Sequence, residues 1–207
     1  MNEENYKRNM LKYCFDILKN HFDNRFEVPL TMFPNYSSPL FVTMKIKSED
    51  DEDEGDKKGY ELRGCIGTFD AIKLREGLKK YVNFSAFKDS RFEPLKKEEF
   101  PFIDIEISLL NNFEDIGNKW KNWIIGTHGI SIDFRYDGDS YHATYLPEVS
   151  LENKWDHEKT VKSLIRKSGF KGNIDTTLLN SLKIKRYKTS EFSMTYDDYI
   201  KLGEKKS

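Results

Sequence analysis

An arginine and a cysteine stand two residues apart in the run Leu62-Arg63-Gly64-Cys65-Ile66-Gly67-Thr68-Phe69. Read as a strand, this run alternates between two faces, with Leu62, Gly64, Ile66 and Thr68 on one and Arg63, Cys65, Gly67 and Phe69 on the other. A guanidinium and a thiol then share a face beside glycine, a residue that within strands marks the close approach of a ligand or another backbone. Such a face can support a thiolate nucleophile, with a nearby cation lowering the thiol pKa and a histidine taking its proton. His128 and His142 are the bases on offer, and His128 is favoured because Gly126-Thr127-His128-Gly129 reads as an accessible loop. Asp89 or Glu148 can orient that base. The plain structural readings stand beside these: a small buried strand residue for Cys65 and a hydrogen-bonded turn residue for His128.

The same residues can instead bind. Arg63 and Arg91 can hold a carboxylate or phosphate bidentately, with Gly64 and Gly67 allowing close approach and Phe69, Phe92 or Tyr145 as an apolar wall. The competing use of each arginine is an internal ion pair with Asp89, Glu93 or Glu148, and Asp89-Ser90-Arg91 is well spaced for one. Tyr145-Leu146-Pro147-Glu148 reads equally as a ligand-binding corner and as a strand end. The four histidines, His21, His128, His142 and His157, show no HxxxH or HExxH spacing, so no metal is expected. No Walker loop, GxGxxG run or GxSxG elbow is present, and no cofactor is expected. Lys183-Ile184-Lys185-Arg186-Tyr187-Lys188, with Arg166, Lys167 and Lys171, leaves nucleic acid as a minor partner reading. A basic strand edge more often serves to block unwanted pairing.

The elements that must position these groups follow from periodicity. Tyr6, Met10, Tyr13, Cys14, Ile17 and Leu18 recur at helical spacing, and Cys14 on that stripe reads as a small core residue. After the prolines Pro29, Pro34 and Pro39, Leu40 to Lys47 alternates as a strand. Residues 48–58, which hold Glu49-Asp50-Asp51-Glu52-Asp53-Glu54, repel one another and read as a flexible acidic loop. Leu74, Leu78, Tyr81, Val82 and Ser85 mark a helix face, which should end before Pro94. Ile103, Ile105, Ile107 and Leu109 alternate as a strand, and Asp137-Gly138 is a hairpin turn inside Gly129 to Leu146. Asp156 can cap a helix through Val161, Leu164 and Ile165, with Gly169 past its end. Lys183 to Tyr187 reads as a late strand and Tyr196 to Leu202 as a short terminal helix. Hairpins mixed with helices, without strict βαβ alternation, indicate an α+β fold with mostly antiparallel sheets flanked by helices.

Composition narrows the function classes. The 207 residues carry 34 Lys and Arg against 35 Asp and Glu, a net charge of −1, which argues against a phosphate-tracking nucleic-acid binder. With 33% charged residues, a mean hydropathy of −0.74 and a polar, acidic amino terminus, neither a membrane span nor a secretory signal is expected. Two cysteines without a CxxC pair fit a reducing, intracellular setting, cytoplasmic or nuclear.

Seven stretches together resemble the AMMECR-one family: PLFVTMKI at 39–46, LRGCIGTF at 62–69, SAFKDSRFEPL at 85–95, ISLLNNFED at 107–115, GTHGISIDF at 126–134, ATYLPEV at 143–149 and SLIRKSGF at 163–170. The acidic insertion at 48–58 departs from relatives, which tend to have a shorter hairpin there. The resemblance implies one α+β domain over residues 1–207, built of a larger and a smaller lobe with a cleft between them. It implies no settled activity. The expectation is a cleft lined by the LRGCIG strand that takes a small anionic ligand or a peptide-like partner, with Cys65-dependent chemistry as one form of it. A non-catalytic scaffold or regulatory protein is the alternative.

Overall fold

A computed structural model describes residues 2–25, 32–47 and 59–204. Pro29 and the acidic stretch 48–58 lie outside the described residues. The elements run α1 (Glu3–Phe22), β1 (Ser37–Lys47), β2 (Tyr60–Lys73), α2 (Leu74–Phe87), β3 (Ile103–Gly117), β4 (Gly129–Tyr136), β5 (Asp139–Tyr145), α3 (Pro147–Glu152), α4 (His157–Lys167), α5 (Thr176–Ser181), β6 (Lys183–Thr195) and α6 (Tyr196–Glu204). The strands hydrogen-bond in the order β2-β1-β3-β6-β4-β5, and β1 with β2, β1 with β3, β4 with β5 and β4 with β6 are all antiparallel. The fold is α+β.

Two compact units divide the chain, and β3 and β6 each run from one to the other. The first comprises Met1–Leu109 with Ser190–Ser207. There Leu40, Val42 and Met44 of β1 and Ile103, Ile105 and Ile107 of β3 are fully buried, together with Leu74, Leu78 and Val82 of α2 and Cys14, Phe15 and Leu18 of α1. Their alternation along the strands matches the period of two expected for a half-buried sheet. Asn2 starts α1 by accepting the Asn5 amide at 3.0 Å, and Glu3 and Glu4 complement the helix dipole.

The second unit, Leu110–Thr189, packs Val161, Leu164 and Ile165 of α4 with Ile130, Ile132, Phe134 and Ile184. Asp137 and Gly138 both take positive φ (49° and 87°), so the hairpin turns in two residues as its Asp-Gly pair implies. Two short helices were not expected. Pro147 does end β5, but its fixed φ also makes it a first helical residue, and α3 begins there. Asp175 caps α5 by accepting the Leu178 amide at 2.9 Å. β3 and β6 run longer than the alternating segments 103–109 and 183–187.

Asp156 accepts the Lys159 amide at 2.7 Å and so caps α4, while Gly169 at φ 91° closes its far end. Asp156→Ala is expected to lower unfolding free energy by about 1 kcal/mol, read from urea midpoints at unchanged slope. An unchanged midpoint would show that α4 is held by its buried face alone.

Candidate functional site

The glycine-rich strand is the terminal strand of the sheet, and its register explains its composition. Phe41 lies opposite Gly67, Thr43 opposite Cys65 and Met44 opposite Gly64, but Lys45 lies opposite Leu62. Arg63 has no partner across the ladder and is the extra residue of a bulge. The bulge resets the alternation. Leu62 falls on the outer face with Cys65 instead of beside Gly64 and is 43% exposed.

On the inner side the strand touches α2. A Cβ at Gly64 would fall on the backbone carbonyl of Ser85, so only glycine fits. The Ser85 hydroxyl accepts the Ile66 amide at 2.9 Å and donates to the Val42 carbonyl at 2.7 Å, joining two residues that face each other across β1 and β2. At Gly67 the place of a side chain is taken by the Phe41 ring and the Leu40 carbonyl. Both glycines are filled by the protein's own atoms.

The outer edge is held by charged side chains from the loop after α2. The Cys65 amide donates to Asp89 Oδ2 at 2.9 Å, and Arg91 Nη2 donates to the Cys65 carbonyl at 3.2 Å. Asp89 is buried and also takes Arg91 Nε at 2.9 Å, Nη2 at 2.7 Å and the Arg91 amide at 3.2 Å. The guanidinium foremost, with these backbone amides, holds its carboxyl far below the usual carboxylate range. Arg63 forms a second fork, Nε to Glu99 Oε1 at 2.8 Å and Nη2 to Oε2 at 3.1 Å, and Glu99 also accepts the Lys96 amide at 2.8 Å. Arg63, ahead of burial's opposing effect, draws the Glu99 carboxyl below its ordinary value. Both guanidiniums lie near the Phe92 ring, Arg63 at 5.9 Å and Arg91 at 5.4 Å.

Cys65 is half-buried, and its Sγ accepts the Thr43 hydroxyl at 3.1 Å. Burial pushes the thiol pKa up, against the opposing pull of Thr43 and Arg91; the carboxylates of Asp89 and Glu106 add to the rise. The net direction is upward, so the group is a thiol at neutral pH. The cation acting on it is Arg91, whereas the strand alternation pointed to Arg63.

Arg63, Gly64, Cys65, Gly67, Asp89 and Arg91 belong to the first unit, and His128, Tyr145 and Glu148 to the second. His128 is buried, its Nδ1 accepting the Ile124 amide at 3.1 Å. Burial, then Arg186 and Lys188, lower its pKa, which keeps the imidazole neutral. The Tyr145 hydroxyl pairs with Ser163 at 3.0 Å, and Lys167 Nζ sits 4.5 Å from its ring. Glu148 lies in the first turn of α3.

Tyr187 is the residue the sequence reading passed over. Fully buried, its hydroxyl donates to the Tyr145 carbonyl at 2.9 Å and lies 3.1 Å from the Thr144 hydroxyl, and its ring occupies the space a side chain at Gly129 would need. The sequence marks it only as the one aromatic in the basic run 183–188; its place opposite Gly129 is set by the sheet register. Glu99 had no comparable signal. Among the described residues, no three His, Cys, Asp or Glu side chains gather as a metal site.

A profile of the AMMECR1 family matches residues 11–192. The chain belongs to the AMMECR1 family. It is 37% identical to an uncharacterized Arabidopsis thaliana protein over 195 residues, covering 93% of this chain and 87% of that one. A Schizosaccharomyces pombe protein, also named uncharacterized, is 36% identical over 196 residues, with 94% and 95% covered. The crystal structure of an uncharacterized Pyrococcus horikoshii protein superposes with a TM-score of 0.68 at 23% identity, covering 93% of both chains, and shares the fold. These names assign no activity, so the residues of this AMMECR1 protein must carry the functional argument.

Gly64→Ala drives a methyl into helix backbone and is expected to cost about 2 kcal/mol or more, read by thermal or urea unfolding; a loss near zero would mean that α2 moves away freely. Asp89 tests the edge clamp through pH. A carboxyl held below its unfolded value contributes fully above about pH 4 and loses that contribution as pH falls further. Asp89→Asn should therefore lose about 2–4 kcal/mol at pH 7 and show a flatter decline into acid than the parent chain. Parallel acid limbs in urea titrations would assign that decline to other carboxylates.

Proposed function

We propose that this AMMECR1 domain is a non-catalytic recognition protein whose outer β1–β2 face receives a peptide-like partner, with the LRGCIG strand serving as a rigid platform. The observation that carries this reading is that the groups suited to chemistry are already engaged. Arg63 and Arg91 fork onto Glu99 and Asp89, Gly64 and Gly67 are filled from within, and the thiol is a hydrogen-bonded, protonated group. An anionic ligand would have to displace a carboxylate from either guanidinium, which weighs against the anion cleft. Left facing outward are Leu62 and Phe69, 43% and 38% exposed, with Phe69 edge-on to Phe41 at 5.0 Å. Apolar and aromatic groups on a stiff surface are what binding hot spots are made from.

The profile match runs across both units, which supports treating residues 1–207 as a single domain. Both cysteines are free, in keeping with a reducing setting in the cytoplasm or nucleus. Among the described residues no helix is long and apolar enough to cross a membrane.

The test separates platform from nucleophile. Iodoacetamide at pH 7.5 should label native Cys65 at least about tenfold more slowly than in the urea-unfolded chain. Peptides selected from a displayed random library should keep binding a Cys65→Ser variant and lose binding to Phe69→Ser. Rapid native alkylation, or loss of binding with Cys65→Ser alone, would favour thiol chemistry and remove this proposal.

A further inference from the structure

The second unit carries a groove of about 610 Å³ that has no part in the β1–β2 face. Its wall is the outward stripe of α4, where Lys159, Lys162, Ser163 and Arg166 recur at helical spacing opposite the buried Thr160, Val161, Leu164 and Ile165. Trp155 and Ile174 line it as well. Arg166 Nη1 donates to the Phe170 carbonyl at 3.0 Å and to the Gly172 carbonyl at 2.7 Å, tying the following turn to the helix.

The charges in this groove are not equivalent. Lys162 is paired with Glu158 at 2.6 Å, and Asp156 is occupied as the helix cap. Among the described residues, Lys159 and Arg166 have no carboxylate partner, and the Lys159 ammonium lies 5.8 Å from the Trp155 ring. These two cations are seven positions apart on the helix, about 10 Å along the axis. In an extended chain of polyproline II type, side chains three residues apart are spaced about 9 Å.

We infer that this groove is a docking site for an acidic peptide in extended conformation, with carboxylates at positions i and i+3 meeting Lys159 and Arg166 and the intervening residues lying against Trp155. Nucleic acid fits less well. Glu158 and Asp156 line the same groove and would face a continuous phosphate backbone, whereas carboxylates three residues apart leave uncharged positions between the two cations.

The experiment uses the full chain and fluorescein-labelled Glu-Thr-Pro-Glu-Thr-Pro-Glu, whose prolines favour the extended form. Anisotropy at 50 mM salt should show saturable binding that weakens as salt rises. Lys159→Glu, an exposed change outside the core, should weaken binding about tenfold or more, whereas Lys171→Glu, outside the groove, should not. A peptide with lysine in place of each glutamate should not bind. The inference is overturned if the acidic peptide fails to bind at low salt, if both charge reversals act alike, or if a thymidine octanucleotide binds more tightly than the peptide. Loss of this site would leave the β1–β2 proposal standing, because neither variant touches that face.

Discussion

The first unit depends on one carboxylate. Asp89 sits at the free edge of β2 and accepts four hydrogen bonds, one from the Cys65 amide and three from Arg91. A terminal strand presents backbone donors and acceptors that must be hydrated or blocked. Here the carboxylate takes the amide and the paired guanidinium returns a donor to the carbonyl of the same residue. The pair reproduces the two bonds a neighbouring strand would make. Because Asp89 is buried, removing Arg91 leaves a carboxylate with little solvent to compensate it, whereas removing Asp89 leaves an exposed guanidinium and an edge without its clamp. The bulge at Arg63, the helix contact at Gly64 and the serine wedge at Ser85 can all persist because that edge is held.

A related solution occurs on β5, the strand at the opposite end of the hydrogen-bonded order. Lys167 Nζ donates to the Thr144 carbonyl at 2.9 Å and lies over the Tyr145 ring. Burial draws its pKa below the ordinary lysine value, yet the carbonyl and the π face both favour the ammonium. Within the second unit, Thr144 joins β5 to β4 by donating to the Ile130 carbonyl at 3.0 Å, and Tyr187 joins β6 to the end of β5 by donating to the Tyr145 carbonyl at 2.9 Å. Each terminal strand thus has a backbone carbonyl, Cys65 on β2 and Thr144 on β5, met by a long cationic side chain, a local obstacle to adventitious pairing.

The regular elements were legible in the sequence because burial imposes a period. The apolar stripes of α1, α2 and α4, the alternation of β1 and β3 and the Asp137-Gly138 turn all follow from local pattern. What was not legible depended on residues far apart in the chain. No local pattern distinguishes Glu99 from its acidic neighbours as the partner of Arg63, 36 positions away. The bulge was hidden because alternation assumes an unbroken ladder, and a single extra residue reverses it. Asp89 and Arg91 were legible as a pair from their spacing. Their joint grip on the Cys65 backbone was not, since it needs the loop after α2 folded back onto the strand.

The glycines and the cysteine of LRGCIG ask for opposite surroundings, and this decides between platform and nucleophile. A strand pressed against helix backbone at 64, and against the Phe41 ring and Leu40 carbonyl at 67, needs residues without side chains at both, partners for its amides and carbonyls, and exclusion of water. A reactive thiolate needs solvent access, a stabilising cation and a base within hydrogen-bond reach. At Cys65 the surroundings that satisfy the strand also desolvate the sulfur. The guanidinium near enough to favour a thiolate arrives with Asp89, whose negative charge works against it. An environment whose nearby cation is engaged by a carboxylate and a backbone carbonyl is arranged to keep a strand in place, and the small, weakly polar thiol suits such a position.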